Sequence, residues 1–214
     1  MSDRVAIVVG AGGELGRATA QKLATAGFTV VGVDRNEQAL KELPDGIRQV
    51  AGDPTDPALA TSLVDRIAAE VGPPGVLVNT IGTYHPGEAL DATPEDLRLM
   101  IDVNAGTALW LTQAVAPHMR ERGSGAIVHV AARPGLEPTA GMATYGVSKA
   151  ALVHLIRVLD LELRPLGIRV NAVAPQVLDT AKNRPYLPAE LLAHALAPEA
   201  VADVIAYLVS DAAA

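Results

Sequence analysis

Tyr145 and Lys149, four positions apart, form the pair with the clearest capacity for chemistry in this 214-residue chain. On a helix they share one face. An ammonium beside a phenol favours the phenolate and lowers the phenol pKa from about 10 towards neutrality, so the pair would exchange a proton with substrate near physiological pH. The bland alternative is a packed tyrosine and a solvated lysine. A second constellation lies near the N-terminus, where Gly10, Gly12, Gly13 and Gly16 surround Leu15 between an apolar run and an amphipathic stretch. Glycines at a strand-to-helix turn let backbone approach a pyrophosphate, and the helix N-terminus offers unsatisfied N–H groups and a positive dipole end. A merely tight turn is the competing reading.

The elements that must hold these residues are set by the pattern. Arg4 to Gly10 reads as a strand buried on both faces, and Glu14 to Ala26 as a helix stopped by Gly27. Further strands are expected over Phe28–Val33, Ile47–Ala51, Gly75–Thr80, Ala126–Ala131 and Ile168–Ala174. Helices are expected over Gln38–Leu43, Pro57–Val71, Pro94–Arg122, Thr144–Arg164 and Pro198–Ser210, with Thr93 capping the Pro94 helix. Strict alternation implies right-handed βαβ units. The expected fold is therefore α/β, a Rossmann-type doubly wound parallel sheet with helices on both faces, in a single domain over residues 1–214. Pro175 to Pro188 is expected to be an irregular, mobile loop.

Composition narrows the function. The chain is 50% hydrophobic but only 3% aromatic, so its core must be aliphatic. A formal charge of −7 without a basic stripe argues against nucleic acid. The absence of cysteine removes disulfides, thiolate metal sites and a thiol nucleophile. Five histidines show no ligand spacing with carboxylates, so no metal site is expected. His129 reads as a satisfied core residue, and His85, in the loop after the fourth strand, is the candidate for lining a substrate pocket. No apolar run approaches the ~20 residues needed to span a bilayer, and no leader pattern opens the chain. A cytoplasmic protein acting on a small molecule, away from membranes, is expected.

Asp34 ends the second strand, where a carboxylate can accept from ribose hydroxyls and repel a 2′-phosphate, so NAD(H) is favoured over NADP(H). Arg35 beside it is either a solvated charge or a stacking or phosphate-pairing group. Asp53 either accepts from an adenine amino group or makes a turn before Pro54.

In register, the glycine turn, Asp34, Asp53, Val78-Asn79-Thr80-Ile81-Gly82, Asn104, Tyr145-Gly-Val-Ser-Lys149 and Pro175 resemble the short-chain dehydrogenase/reductase family over nearly the whole chain. The resemblance implies a cofactor site from Gly10, Gly12, Gly13, Leu15, Gly16, Asp34, Arg35, Asp53, Asn79, Gly82, Lys149, Pro175, Val177 and Thr180. It also implies Tyr145, Lys149 and Asn104 as the catalytic set, with Lys149 holding the nicotinamide ribose and Asn104 anchoring a water of the proton relay.

Ala132 stands where that family keeps a catalytic serine, and losing one such donor typically costs ~10²–10³ in rate. Thr139 and Thr144 are the nearby hydroxyls. The stretches Gly141-Met142 to Lys149, Pro175-Gln-Val-Leu-Asp-Thr180 and Asn183-Arg184 resemble the dihydropteridine reductase-like branch, which manages without that serine. The resemblance implies hydride transfer to a conjugated carbonyl or imine, with Ala132, Tyr84 and His85 around the substrate. A ketone or 3-oxoacyl reductase with an altered site, or a non-catalytic nucleotide-binding protein, are the alternatives. After the Pro198 helix the sequence runs only to Asp211-Ala-Ala-Ala214, so the family's glycine-containing final strand is expected either to be missing from the sheet or to follow these residues. The two long helices carry more apolar surface than one sheet face needs, so a homodimer or homotetramer through the helices starting near Pro94 and Thr144 is expected.

Overall fold

A computed structural model describes residues 4–213. Six strands, β1 (Val5–Val9), β2 (Thr29–Asp34), β3 (Arg48–Ala51), β4 (Pro74–Asn79), β5 (Gly125–Val130) and β6 (Ile168–Val173), form one sheet. Every pairing is parallel and the order is β3-β2-β1-β4-β5-β6. The order reverses between β1 and β4, which opens a crevice beyond the carboxyl ends of those strands. All five residues of β1 are buried, as an Ala/Val/Ile run covered on both faces requires.

Alternate side chains of β1, β2, β4, β5 and β6 feed two aliphatic layers. Ile7, Leu77 and Ile127 pack with α3 (Pro57–Glu70), α5 (Thr107–Arg122) and α6 (Ala143–Leu163). Ala6, Val8, Val76 and Val128 pack with α1 (Glu14–Thr25) and α8 (Pro198–Val209) on the opposite face. Helix-forming segments therefore cover both faces, which is the doubly wound arrangement read from the alternation.

The expected helix from Pro94 to Arg122 is not uniform. It begins as α4 (Pro94–Ile101), with Thr93 and Asp96 completing a capping box, then widens into a π-helical turn over Asp102–Gly106 before continuing as α5. A π turn inserts an extra residue and rotates the helix beyond it, and such turns recur at functional sites. No periodicity rule detects one added residue in a long apolar pattern. The segment expected as a short helix at Gln38–Leu43 is α2 (Glu37–Leu40), capped by Asn36. Within the expected loop from Pro175 to Pro188, Arg184–Tyr186 forms one 3-10 turn, and α7 (Ala189–Leu192) comes next. No helix among the described residues is long and apolar enough to cross a membrane.

Candidate active site

β5 leads directly into the site. Its last turn places Ala132, 6% exposed, beside a 3-10 turn at Arg133–Gly135 that lies on α6. The approach is close: a Cβ on Gly135 would lie 2.6 Å from the Lys149 carbonyl carbon, so glycine is needed there. From the first turns of α6, Tyr145 and Lys149 both face the crevice, with the Lys149 Nζ 5.9 Å from the Tyr145 ring centroid. Lys149 is 3% exposed and donates to the Val130 carbonyl at 2.9 Å. The strand end thus aims the ammonium.

Asn104 joins this group through the π turn. It is buried, donates from Nδ2 to the Thr83 carbonyl at 3.0 Å and to Ser148 Oγ at 2.9 Å, and accepts the Thr83 N–H on Oδ1 at 2.9 Å. Ser148 in turn donates to the Tyr145 carbonyl at 2.7 Å. Ser148 and Thr83 are therefore supporting residues that sequence reasoning did not assign. The signal was present in the Ser immediately before Lys149, but its partner lies 44 positions away. A Cβ on Gly82 would stand 3.2 Å from Asn104 Oδ1 and 3.3 Å from Lys149 Nζ, so this glycine keeps open the space both polar atoms face.

The electrostatics reverse one expectation. The Tyr145 phenol is pushed up to about 12, by burial first and by Tyr84 second, rather than lowered towards neutrality. Desolvating a phenolate costs more than an ammonium returns when that ammonium is turned to a backbone carbonyl. Burial also pushes Lys149 down to about 8. His129, fully buried beneath the site, is pushed down to about 3 by burial and by Lys149. Its Nε2 meets Thr112 Oγ1 at 3.1 Å, but Nδ1 has no partner, so the core histidine is only half satisfied.

Other substrate-side candidates separate. Tyr84, 51% exposed, sets its ring edge-on to Tyr145 with centroids 5.0 Å apart. His85 is exposed and lies towards Asp96 at the start of α4. Thr139 is also exposed and bonds the Glu137 carbonyl within its own turn, so it does not replace the missing serine hydroxyl.

At the carboxyl end of β1 the glycine turn is built from backbone. Gly10 has φ +81° and donates to the Val33 carbonyl at 2.8 Å. Gly16 sits so close to Gly10 that a Cβ would collide with the Gly10 carbonyl. A Cβ on Gly12 would meet the Asp34 carboxylate at 2.9 Å. Leu15 is buried under the turn. Gly13 caps α1 without a side chain, so the first-turn N–H groups present a positive end to an anion. This cradle fits a dinucleotide pyrophosphate. Thr80, not singled out from sequence, ties the turn to β4 by donating to the Val9 carbonyl at 2.8 Å.

Asp34 accepts from Gly12 N at 3.0 Å and from Asn36 N at 2.9 Å, which fixes its carboxylate at the end of β2. Arg35 is exposed. Asp53 accepts from Thr55 N at 3.1 Å, an Asx turn that matches the turn reading. Asn79 is buried, accepting from Ile81 N at 3.0 Å and donating to Thr107 Oγ1 at 3.4 Å, so it shapes the loop carrying Gly82. Across the crevice the Pro175 carbonyl accepts from Arg133 N at 3.2 Å, the Val177 carbonyl from Leu196 N at 2.9 Å, and the Thr180 hydroxyl from Asn183 N at 3.2 Å.

Known proteins agree with this geometry. The family profile described as short chain dehydrogenase matches residues 4–190. An uncharacterised oxidoreductase of Staphylococcus epidermidis is 32% identical over 84% of this chain and 80% of its own length. The 4-formylbenzenesulfonate dehydrogenase of Comamonas testosteroni is 31% identical over 99% and 92% respectively. The crystal structure of gox2181 superposes with a TM-score of 0.92 at 30% identity, covering 100% of this chain and 91% of that one. With the family's tyrosine and lysine presented beside a backbone cradle for a dinucleotide, the chain belongs to the short-chain dehydrogenase family and is an NAD(P)-dependent oxidoreductase.

Proposed function

We propose that this oxidoreductase reduces a conjugated carbonyl or imine, of the kind represented by a quinonoid dihydropterin, using NADH. The observation that carries the reading is Ala132: the end of β5 offers a buried methyl group where an oxygen developing negative charge would need a donor. A substrate whose charge spreads over a conjugated system needs that donor least. Tyr145, pushed up to about 12, is fully protonated at neutral pH and supplies the proton. The exposed Tyr84 ring beside it suits a flat substrate. The cofactor supplies the hydride. Lys149 holds its nicotinamide ribose, Asn104 anchors a water that continues the proton relay, and the Asp34 carboxylate disfavours a 2′-phosphate.

The relative named 4-formylbenzenesulfonate dehydrogenase adds support, because an aryl aldehyde is a carbonyl conjugated with a ring. Exposed Leu97 and Leu99 on α4 and Val147 and Leu161 on α6 favour a homodimer or homotetramer through these helices. A monomeric mass by light scattering at micromolar concentration would remove that part.

The test monitors nicotinamide absorbance with NADH and then NADPH against quinonoid dihydropterin, an aryl aldehyde, a diketone and a plain cyclic ketone. Preferential turnover of the conjugated acceptors with NADH is expected. Preference for the plain ketone would overturn the substrate class, and cofactor binding without turnover of any acceptor would support a non-catalytic protein. Ala132→Ser should raise activity on the plain ketone by about 10–10³ if the missing donor limits it.

A further inference from the structure

Glu14 is the first residue of α1, in the turn that cradles the cofactor, yet its carboxylate reaches out of that turn. Its Oε1 accepts the Ala181 N–H at 2.8 Å, linking positions 167 residues apart. Ala181 directly follows the stretch Val177–Thr180, which is already fastened on its other side. Leu196 N donates to the Val177 carbonyl and Asp179 N to the Leu196 carbonyl, both at 2.9 Å. Asp179 also holds Arg184 at 2.6 and 3.2 Å. Glu14, Arg17, Asp179, Arg184 and Glu199 line a groove of about 400 Å³ between α1, this loop and the start of α8.

The carboxylate has two physical consequences. As an acceptor, it fixes the loop against the N-terminus of α1 without any help from bound cofactor. As a charge on the first residue of α1, it lies beside the positive helix end that a pyrophosphate also uses and within electrostatic reach of Arg184, so the two anions compete for that dipole. From this geometry we infer that Glu14 is a positioning residue for the cofactor: it latches the Val177–Thr180 stretch in place and, by its charge, weakens dinucleotide binding. The latch orders the loop in advance of binding, while the charge speeds release of the spent cofactor. The inference rests on the glycine turn being the pyrophosphate site.

Glu14→Gln keeps the acceptor and removes the charge, whereas Glu14→Ala removes both. Fluorescence titration with NADH should show Glu14→Gln binding about five- to tenfold tighter than the parent protein at low salt, with the gap closing as salt screens the repulsion. Glu14→Ala should release the loop, seen without cofactor as faster tryptic cleavage after the exposed Lys182. Cleavage in Glu14→Gln should stay at the parent rate. Equal NADH affinity of parent and Glu14→Gln at low salt would overturn the charge effect, and unchanged Lys182 cleavage in Glu14→Ala would overturn the latch. Failure of the parent protein to bind either NADH or NADPH would overturn the pyrophosphate assignment itself, while the cofactor-free cleavage assay still decides the latch.

Discussion

The glycine turn after β1 and the Tyr145 segment after β5 stand at the same end of one sheet and work by opposite means. At the turn, the geometry is set by missing atoms: a side chain on Gly10, Gly12 or Gly16 would run into Thr80, the Asp34 carboxylate or the Gly10 carbonyl. At Tyr145, the character of the region comes from side chains whose properties are reset by burial, with the phenol pushed up to about 12 and the ammonium down to about 8. The first region is sensitive to added volume, and the second to changed polarity. That contrast can be broken or sharpened by substitution.

The largest effect is expected from Gly16→Ala. The new methyl would fall on the Gly10 carbonyl, which is backbone and cannot step aside, so a loss of at least about 3 kcal/mol in stability is expected, with NADH binding abolished. Denaturant unfolding with parallel NADH titration checks it. Native stability with intact binding would show that the turn tolerates volume.

Next comes Lys149→Met, which tests polarity without adding bulk. A lysine whose folded pKa lies below its unfolded 10.5 binds fewer protons when folded, so the stability it contributes is fully present above 10.5 and is lost as pH falls to about 8. The parent protein should therefore gain on the order of 3 kcal/mol from this group between pH 8 and 10.5, and Lys149→Met should lack that rise while being more stable at pH 7. Turnover should nevertheless fall sharply. A parallel pH dependence in the two proteins would mean that the ammonium is not penalised by burial.

Smaller losses are expected from the supporting shell. Ser148→Ala leaves Asn104 Nδ2 short of an acceptor in a buried setting and should cost about 1–3 kcal/mol by denaturant midpoint. The smallest is Asp34→Ser, expected to shrink the ratio of NADH to NADPH affinity by about tenfold. A ratio that stays constant would move cofactor choice away from the end of β2.

The same contrast explains what could be read in the sequence. Strand-helix alternation and the tightness of the glycine turn were legible because backbone geometry limits which residue types fit, and that limit is written locally. Thr93 was legible for the same reason, as a cap needs only neighbours, whereas the reciprocal bond from Asp96 was not assigned. The π turn at Asn104 was not, since one extra residue leaves the apolar pattern intact. Nor was the direction of the Tyr145 shift. Spacing shows that Lys149 can reach the tyrosine's face of the helix, but not that Val130 takes its Nζ or that Tyr84 closes over the phenol. Ser148, Thr83 and the Glu14 contact with Ala181 depend on partners brought together only by the fold.

Proton donation by Tyr145 is the centre of the proposed chemistry, and Tyr145→Phe tests it most directly because it removes one oxygen and keeps the ring that packs against Tyr84. Single-turnover oxidation of bound NADH by a conjugated acceptor should slow by about 10²–10⁴, with NADH affinity unchanged. A rate within about threefold of the parent protein's would contradict the assignment of Tyr145 as the proton donor.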